Sequence, residues 1–261
     1  QHTESVLAIE GGPYGTTCAR VGCMPSKLLI AAAEAAHAAH AAPGFGVQVQ
    51  GVHVDGRAVM QRVRSERDRF VGFVTEAVEG WPAAHRLRGA ARFVAPGVLA
   101  VDGHSRVHAK RIVIATGSEP QIDPGWVTTL GDRLIRNDEV FDWQDLPRAV
   151  LVLGAGVIAL ELAQALHRLG VRVRLIGRSQ RVGPLTDPAL QSLTREILAA
   201  ELPMTLGLPQ PALRREGDEV VLSLDGQEER YDWVLAAAGR RPRVAGLGLE
   251  HSGLPLDAQG V

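Results

Sequence analysis

Ala149-Val150-Leu151-Val152-Leu153-Gly154-Ala155-Gly156-Val157-Ile158-Ala159 is the stretch that decides the fold. Five consecutive apolar residues read as a strand buried on both faces, and the helix expected over Val157 to Leu169 follows the glycines. Gly154, Gly156 and Ala159 stand at the spacing of the G-x-G-x-x-G/A fingerprint of a dinucleotide-binding βαβ unit. Gly154 allows the tight turn, Gly156 lets a pyrophosphate approach the backbone, and Ala159 lets helix and strand pack closely. The phosphates would then meet N–H groups at the helix N-terminus. Gly170 ends the helix, and Val171 to Ile176 supplies the next strand.

An acidic residue about 20 positions beyond the fingerprint would bind the adenosine ribose. That position holds Gly177, with Arg178, Ser179 and Arg181 following. Arginines attract a 2′-phosphate that a carboxylate would repel, which tilts the reading from NAD toward NADP.

Upstream, Ser5 to Glu10 reads as a short buried strand ending at Gly11-Gly12-Pro13. Met24 to Ala42 has helical composition closed by Pro43-Gly44, and Arg57 to Trp81 has apolar residues at helical spacing. Its arginines, Arg62, Arg64, Arg67 and Arg69, are expected on a solvated face. Phe93-Val94, Val98 to Val101 and Ser105 to Val107 are short β runs, with Asp102-Gly103 as a hairpin turn. Ile112 to Gly117 reads as a strand covered on both faces. Val220 to Leu224 and Glu229 to Ala238 read as a β segment with a returning strand. The pattern of Ile112 to Pro120 repeats at Val234 to Pro242, 122 residues later, as two similar nucleotide-binding units in tandem would require.

The whole chain fits this organisation. Its 261 residues are 46% apolar, enough for one large domain or two ordinary ones. Lys+Arg (28) and Asp+Glu (29) nearly cancel, which argues against nucleic acid as a partner. No window has the roughly eighteen uncharged apolar residues of a membrane span. Gln1-His2-Thr3-Glu4 has neither the basic region nor the apolar core of a secretory signal, so cytoplasm is the expected location.

Both cysteines fall in Gly15-Thr16-Thr17-Cys18-Ala19-Arg20-Val21-Gly22-Cys23-Met24-Pro25-Ser26-Lys27. In a regular helix residues i and i+5 lie about 8–9 Å apart at Cα, beyond the roughly 4.4–6.8 Å of a disulfide. If the two bond, at least one must leave the helix, and Gly22 gives the backbone that freedom. So small a loop would contribute only about 2 kcal/mol as a staple. Such a pair points to redox exchange; two buried free thiols are the alternative. A zinc site lacks a second Cys/His pair at ligand spacing, and no metal is expected. A helix beginning near Cys23 would favour the thiolate there.

This segment resembles the active-site stretch of the flavin-dependent pyridine nucleotide-disulfide oxidoreductases, and its Pro-Ser-Lys ending is most similar to the dihydrolipoamide dehydrogenase branch. Ala115-Thr116-Gly117, the Gly154 fingerprint and Gly239-Arg240-Arg241-Pro242 stand in that family's order. The resemblance implies an α/β fold of tandem Rossmann-like FAD- and NAD(P)-binding domains with parallel sheets and a small β-meander. The FAD-binding domain would span 1–120, the NAD(P)-binding domain 121–240, and 241–261 would begin the return to the first. By the same likeness Cys23 is the thiol against the flavin and Cys18 the outer sulfur that exchanges with substrate. Lys27 lies near the reactive flavin nitrogen, paired with Glu161. The sequence makes that pairing reasonable, since Glu161 is a charge in an apolar run and an unpaired carboxylate there is costly; an exposed helix residue is the alternative. Glu10 corresponds to the residue on the FAD ribose, and Gly15, Thr17, Ala91, Gly117 and Arg240 to further flavin-binding positions. The implied activity passes electrons between NAD(P)H, FAD and a Cys18–Cys23 disulfide, with a small disulfide or lipoyl group as substrate and a homodimer as the full assembly. A glutathione- or mercuric-type reductase, or a flavin-free nucleotide-binding fragment, are the alternatives. The family's first Gly-rich motif would precede Ser5, and its dimerisation domain and His–Glu base would follow Val261. This chain taken alone is therefore expected not to turn over.

Overall fold

The structure, a computed structural model, describes residues 5–257. In chain order it contains β1 (Ala8–Glu10), α1 (Thr17–Val21), α2 (Cys23–Ala41), α3 (Gly56–Glu79), β2 (Arg86–Arg88), β3 (Ala91–Ala95), β4 (Val98–Val101) and β5 (Ser105–His108). There follow β6 (Ser118–Pro120), α4 (Pro124–Leu130), β7 (Leu134–Arg136), β8 (Ala149–Leu153), α5 (Val157–Arg168), β9 (Arg172–Gly177), α6 (Pro188–Glu201) and β10 (Met204–Leu206). The last strands are β11 (Ala212–Glu216), β12 (Glu219–Leu224), β13 (Gln227–Tyr231), β14 (Trp233–Ala236) and β15 (Arg240–Pro242). No described helix is long and apolar enough to cross a membrane.

The chain divides into two compact units. One takes the chain up to Thr16, Phe70–Glu119 and the chain from Arg241 on; the other takes Thr17–Arg69 and Pro120–Arg240. Thr17–Arg69, expected within a 1–120 domain, thus groups with the second unit. The reason is packing: α2 buries Leu29, Ala33 and Ala36 in the same core as Ala159, Leu162, Ala163 and Leu166 of α5.

The second unit is built on a five-stranded sheet in the order β10-β9-β8-β14-β7, with every neighbouring pair parallel. All five residues of β8 are buried, as expected of a strand covered on both faces. Alternate side chains serve opposite faces. Val150 and Val152 join Val173, Leu175 and Leu235 in the core beneath α2 and α5. Leu151 and Leu153 join Ile176 and Val234 in a second core, where Val220, Leu222 and Tyr231 of the antiparallel sheet β11-β12-β13 cover them. This is the Rossmann-like parallel sheet expected from the fingerprint, and the small sheet is the expected β-meander.

The first unit contains the three-stranded antiparallel sheet β3-β4-β5 and the short parallel pair β1-β2. Asp102 (φ 43°) and Gly103 (φ 75°) turn β4 into β5 as expected. Phe93, Leu99 and Leu249 form its core, with Ile9, Ile112 and Val244 packed around them.

Three expectations need correction. Ile112–Gly117 is not a strand: Val113 is 86% exposed and Ile114 39%. Apolar β-branched residues form a strand only where neighbours supply ladder hydrogen bonds, and among the described residues none flanks this segment. The strand expected from Ser5 shrinks to Ala8–Glu10 and its start is not buried, with Val6 48% and Leu7 37% exposed. The arginines of α3 are not simply a solvated face. Arg67, its side chain 14% exposed, bonds Phe141 O at 3.2 Å and Asp142 at 2.7 Å, and Arg64 donates to Trp143 O. Long arginine stems cover apolar surface while their heads find carbonyls.

The echo between Ile112–Pro120 and Val234–Pro242 takes an unexpected form. Only the second copy begins with a strand, β14, but the two copies end on each other in the β6-β15 ribbon. Gly117 (φ 73°) and Gly239 (φ 137°) precede its two strands. Their carbonyls accept from the N–H groups of Arg243 and Gln121, each at 2.9 Å.

Candidate active site

Strand β8 lies between β9 and β14, so the chain leaves it toward one side of the sheet and later returns on the other. Such a switch point opens a crevice at the carboxyl ends of the strands. Gly154 stands there at φ 125°, and its N–H donates to Ile176 O at 2.8 Å. A Cβ on it would lie 2.3 Å from Ala237 O, so only glycine allows this approach. Gly156 caps α5 without a side-chain hydrogen bond, and a Cβ added to it would meet nothing within 4 Å. The first-turn N–H groups of α5 therefore face open space over the fingerprint, as a bound pyrophosphate requires. Ala159 is fully buried where helix meets sheet.

Gly177 ends β9 and is buried. A Cβ there would come 2.6 Å from Leu206 Cδ2 and 3.1 Å from Ala155 Cβ, so a ribose-binding carboxylate at this position would first have to displace Leu206. Arg178 next to it is exposed and, among the described residues, forms no salt bridge. Arg181 bonds Leu185 O at 3.0 Å, within its own loop. That loop is tied to the fingerprint by Gly183 N–H donating to Ala155 O at 2.7 Å. It is tied to α6 by Gln191, a buried amide that no motif pointed to. Gln191 Oε1 accepts from Val182 N–H at 3.0 Å, and its Nε2 donates to Val182 O and Leu185 O at 2.7 and 2.8 Å. The one trace in the sequence is a glutamine where α6 turns toward the protein.

The thiols sit at a break between two helices. α1 ends at Val21 and α2 begins at Cys23, with Gly22 between them at φ −127°, ψ −117°. A Cβ on Gly22 would lie 2.9 Å from Thr17 O and 3.3 Å from Cys18 Cα, so glycine lets the chain fold back on α1. Both thiols are free and exposed. A hydrogen bond with Cys23 is the main cause holding the Cys18 thiol above its ordinary 9.0; burial and the Cys23 charge add to it. Cys23 is the first residue of α2.

One turn further along α2, Lys27 Nζ lies 2.6 Å from Glu161 Oε1 on α5, with side chains 60% and 33% exposed. The structure thus brings Cys18, Cys23, Lys27 and Glu161 onto the paired helices α1, α2 and α5 of one unit, along with Gly154, Gly156, Ala159 and Arg178. Thr17, the first residue of α1, and Gly239 and Arg240 belong to the same unit; Arg240 reaches Asn137 Oδ1 at 3.3 Å. Glu10, Gly15, Ala91, Ala115, Thr116 and Gly117 belong to the other unit. There Glu10 ends β1 exposed, with one carboxylate oxygen accepting from Gly12 N–H at 2.7 Å. Among the described residues, no group of three or more His, Cys, Asp or Glu is placed to hold a metal ion.

The sequence pattern of the family described as pyridine nucleotide-disulphide oxidoreductase matches residues 1–261. A dihydrolipoyl dehydrogenase of Thermus scotoductus is 35% identical over 272 residues, covering 98% of this chain and 56% of the relative. A mercuric reductase of Streptomyces lividans is 35% identical over 282 residues, again covering 98% and 56%. The chain therefore spans about half the length of the curated relatives it matches. Among solved structures, the HOCl-induced flavoprotein disulfide reductase of Escherichia coli superposes with a TM-score of 0.78 at 23% identity, over 97% of this chain and 55% of the other, which is a likeness of fold. With the fingerprint, the paired thiols and the match over the full sequence in agreement, this chain belongs to the pyridine nucleotide-disulphide oxidoreductase family.

Proposed function

We propose that the chain is the dinucleotide-binding and redox part of a flavin-dependent disulfide oxidoreductase of dihydrolipoyl dehydrogenase type. In this reading electrons pass between NAD(P)H, FAD and a Cys18–Cys23 disulfide, and Cys18 exchanges with a lipoyl or other small disulfide. The observation that carries it is the pair of exposed thiols on either side of the helix break at Gly22, with the Lys27–Glu161 pair one turn away.

The donor set fits a flavin at its redox end: an exposed thiol at a helix N-terminus with an ammonium one turn on. When bound, FAD supplies the two-electron relay between a nicotinamide hydride and a disulfide. The chain's own residues do the rest. The dipole of α2 stabilises negative charge on Cys23 as the disulfide opens. Cys18 keeps its proton to higher pH, so it needs a base before it can attack a substrate disulfide. Glu161 pairs with Lys27 at 2.6 Å. Glu10, Gly15, Thr17, Ala91, Ala115, Thr116, Gly117, Gly239 and Arg240 would hold the flavin nucleotide.

The open N-terminus of α5 would hold the NAD(P)H pyrophosphate. With glycine rather than a carboxylate at position 177, and Arg178 exposed and forming no salt bridge among the described residues, NADPH is the preferred donor. The full-length enzyme is read as a cytoplasmic homodimer.

The full-length protein, purified with its flavin, is to be assayed for lipoamide reduction with NADPH and NADH. Cys23→Ser should abolish turnover, with NADPH used better than NADH. Turnover by the Cys23→Ser variant would overturn the reading, and a colourless protein that binds NADPH would favour a flavin-free module. Because a mercuric reductase matches as well as a dihydrolipoyl dehydrogenase, Hg(II)-dependent NADPH oxidation in place of lipoamide reduction would favour that second reading.

A further inference from the structure

We propose that Glu34 and Arg168 are positioning residues that set the register of α2 against α5 and thereby hold Lys27 against Glu161. The relevance of that pair to redox chemistry rests on the function proposed above; the register itself does not.

Lys27 bonds Glu161, and Glu34 bonds Arg168. Both contacts span the same sequence separation, 134 residues. The two rungs therefore stand seven residues, about two turns, apart on each helix, as they must on helices running side by side in one direction. Between them the packed residues are Leu29 and Ala33 from α2 and Leu162, Ala163, Ala165 and Leu166 from α5. The alanines permit close approach while the leucines interlock, and a polar contact at the edge of such a seam is a known way of fixing which register is taken.

The two rungs differ in rigidity. The Lys27 side chain is 60% exposed, and an exposed pair of long side chains contributes too little to hold its own geometry. The Arg168 side chain is 14% exposed and is held from a third helix, because Glu201 of α6 accepts from its Nε and from its Nη2. Gln164 fixes Glu201 in turn, at 2.7 Å. Glu34, its side chain 57% exposed, thus hooks α2 onto an arginine already held by Glu201, and Lys27 inherits the register.

Carbodiimide coupling tests this without any turnover. The reagent activates a carboxylate, and a lysine amine in contact displaces it to form an amide, so the Lys27–Glu161 crosslinked peptide can be quantified by mass spectrometry in the full-length protein. Glu34→Gln should lower the yield roughly threefold or more, as coupled sites do. Glu201→Gln, which frees Arg168 from α6 and so loosens the anchor of the Glu34 rung, should lower thermal stability and lower the yield as well, by less than Glu34→Gln. An unchanged yield in Glu34→Gln, or a larger fall in Glu201→Gln than in Glu34→Gln, would overturn the proposal. Lys27→Met separates the two ideas: if it leaves the pH profile of Cys23 alkylation unaltered while Glu34→Gln still cuts the crosslink, the register stands and the redox role of the pair falls.

Discussion

Cys18 and Cys23 carry opposite assignments although they are the same side chain on adjoining helices. The Cys18 thiol is held above its ordinary 9.0, first by its hydrogen bond with Cys23, then by burial and by the Cys23 charge. A raised thiol pKa means less thiolate at neutral pH, so Cys18 should alkylate only as the solution becomes distinctly alkaline. Cys23→Ala removes the main cause, and the Cys18 alkylation midpoint should then move to lower pH. A pH series with iodoacetamide and peptide mass spectrometry checks this; an unmoved midpoint would mean the two thiols do not interact. Gly177 is decided by space instead. A Gly177→Asp variant places a Cβ against Leu206 and Ala155 and should lose about 1–3 kcal/mol through overpacking. Trimming Leu206 to Ala in that background should restore part of the stability, read by thermal melts. It should not restore NADPH affinity, because the carboxylate repels the 2′-phosphate whatever the packing. Recovery of both together would show that Gly177 matters only for packing.

The unit formed by β8, Gly154–Gly156, α5 and β9 was readable in the amino acids because its signals are local: a buried run, a turn only glycine can make, and a small residue at the crossing. The helix break at Gly22 was readable for the same reason, from the reach of a disulfide alone. Ile112–Gly117 was misread because a strand depends on neighbours that composition does not report, and Arg67 because a helix face says nothing of the carbonyls that will meet it. Gln191 was invisible: a single amide bonded to Val182 and Leu185 has no pattern in sequence. Its effect belongs to the whole loop after β9. Gln191→Leu keeps the shape but strands the Val182 N–H and the Val182 carbonyl, each unsatisfied group costing about 1–3 kcal/mol, while Leu185 O keeps its bond from Arg181. The loop should loosen, and with it the placing of Arg178. NADPH dissociation, followed by fluorescence titration, should weaken several-fold while Cys23 alkylation stays at the wild-type rate. Equal affinity in the variant would mean that Arg178 does not depend on the loop anchor.

Two further contacts that no motif announced, Arg168 with Glu201 and Arg174 with Glu229, tie elements of the second unit that are distant in sequence, α5 to α6 and β9 to β13. Only the folded chain brings such partners together, so the sequence showed the charges without their pairing. Their effect on the molecule is a dependence on acid. Hydrogen bonds from Arg168 and Arg174 are the main cause holding the Glu201 and Glu229 carboxyls below their ordinary 4.5, against the opposing effect of burial. A carboxyl depressed in the folded state contributes its full stabilisation above its unfolded value and loses it as the pH falls through the folded one. The melting temperature of this unit should therefore hold through neutral pH and decline once the pH drops below about 4.5. Glu201→Gln lowers the plateau but removes one of the groups that must be protonated, so its curve should decline less and converge on the wild type in acid. Parallel curves across the whole range would show that Glu201 supports the packing of α5 and α6 without its charge, and would leave the acid response to other groups.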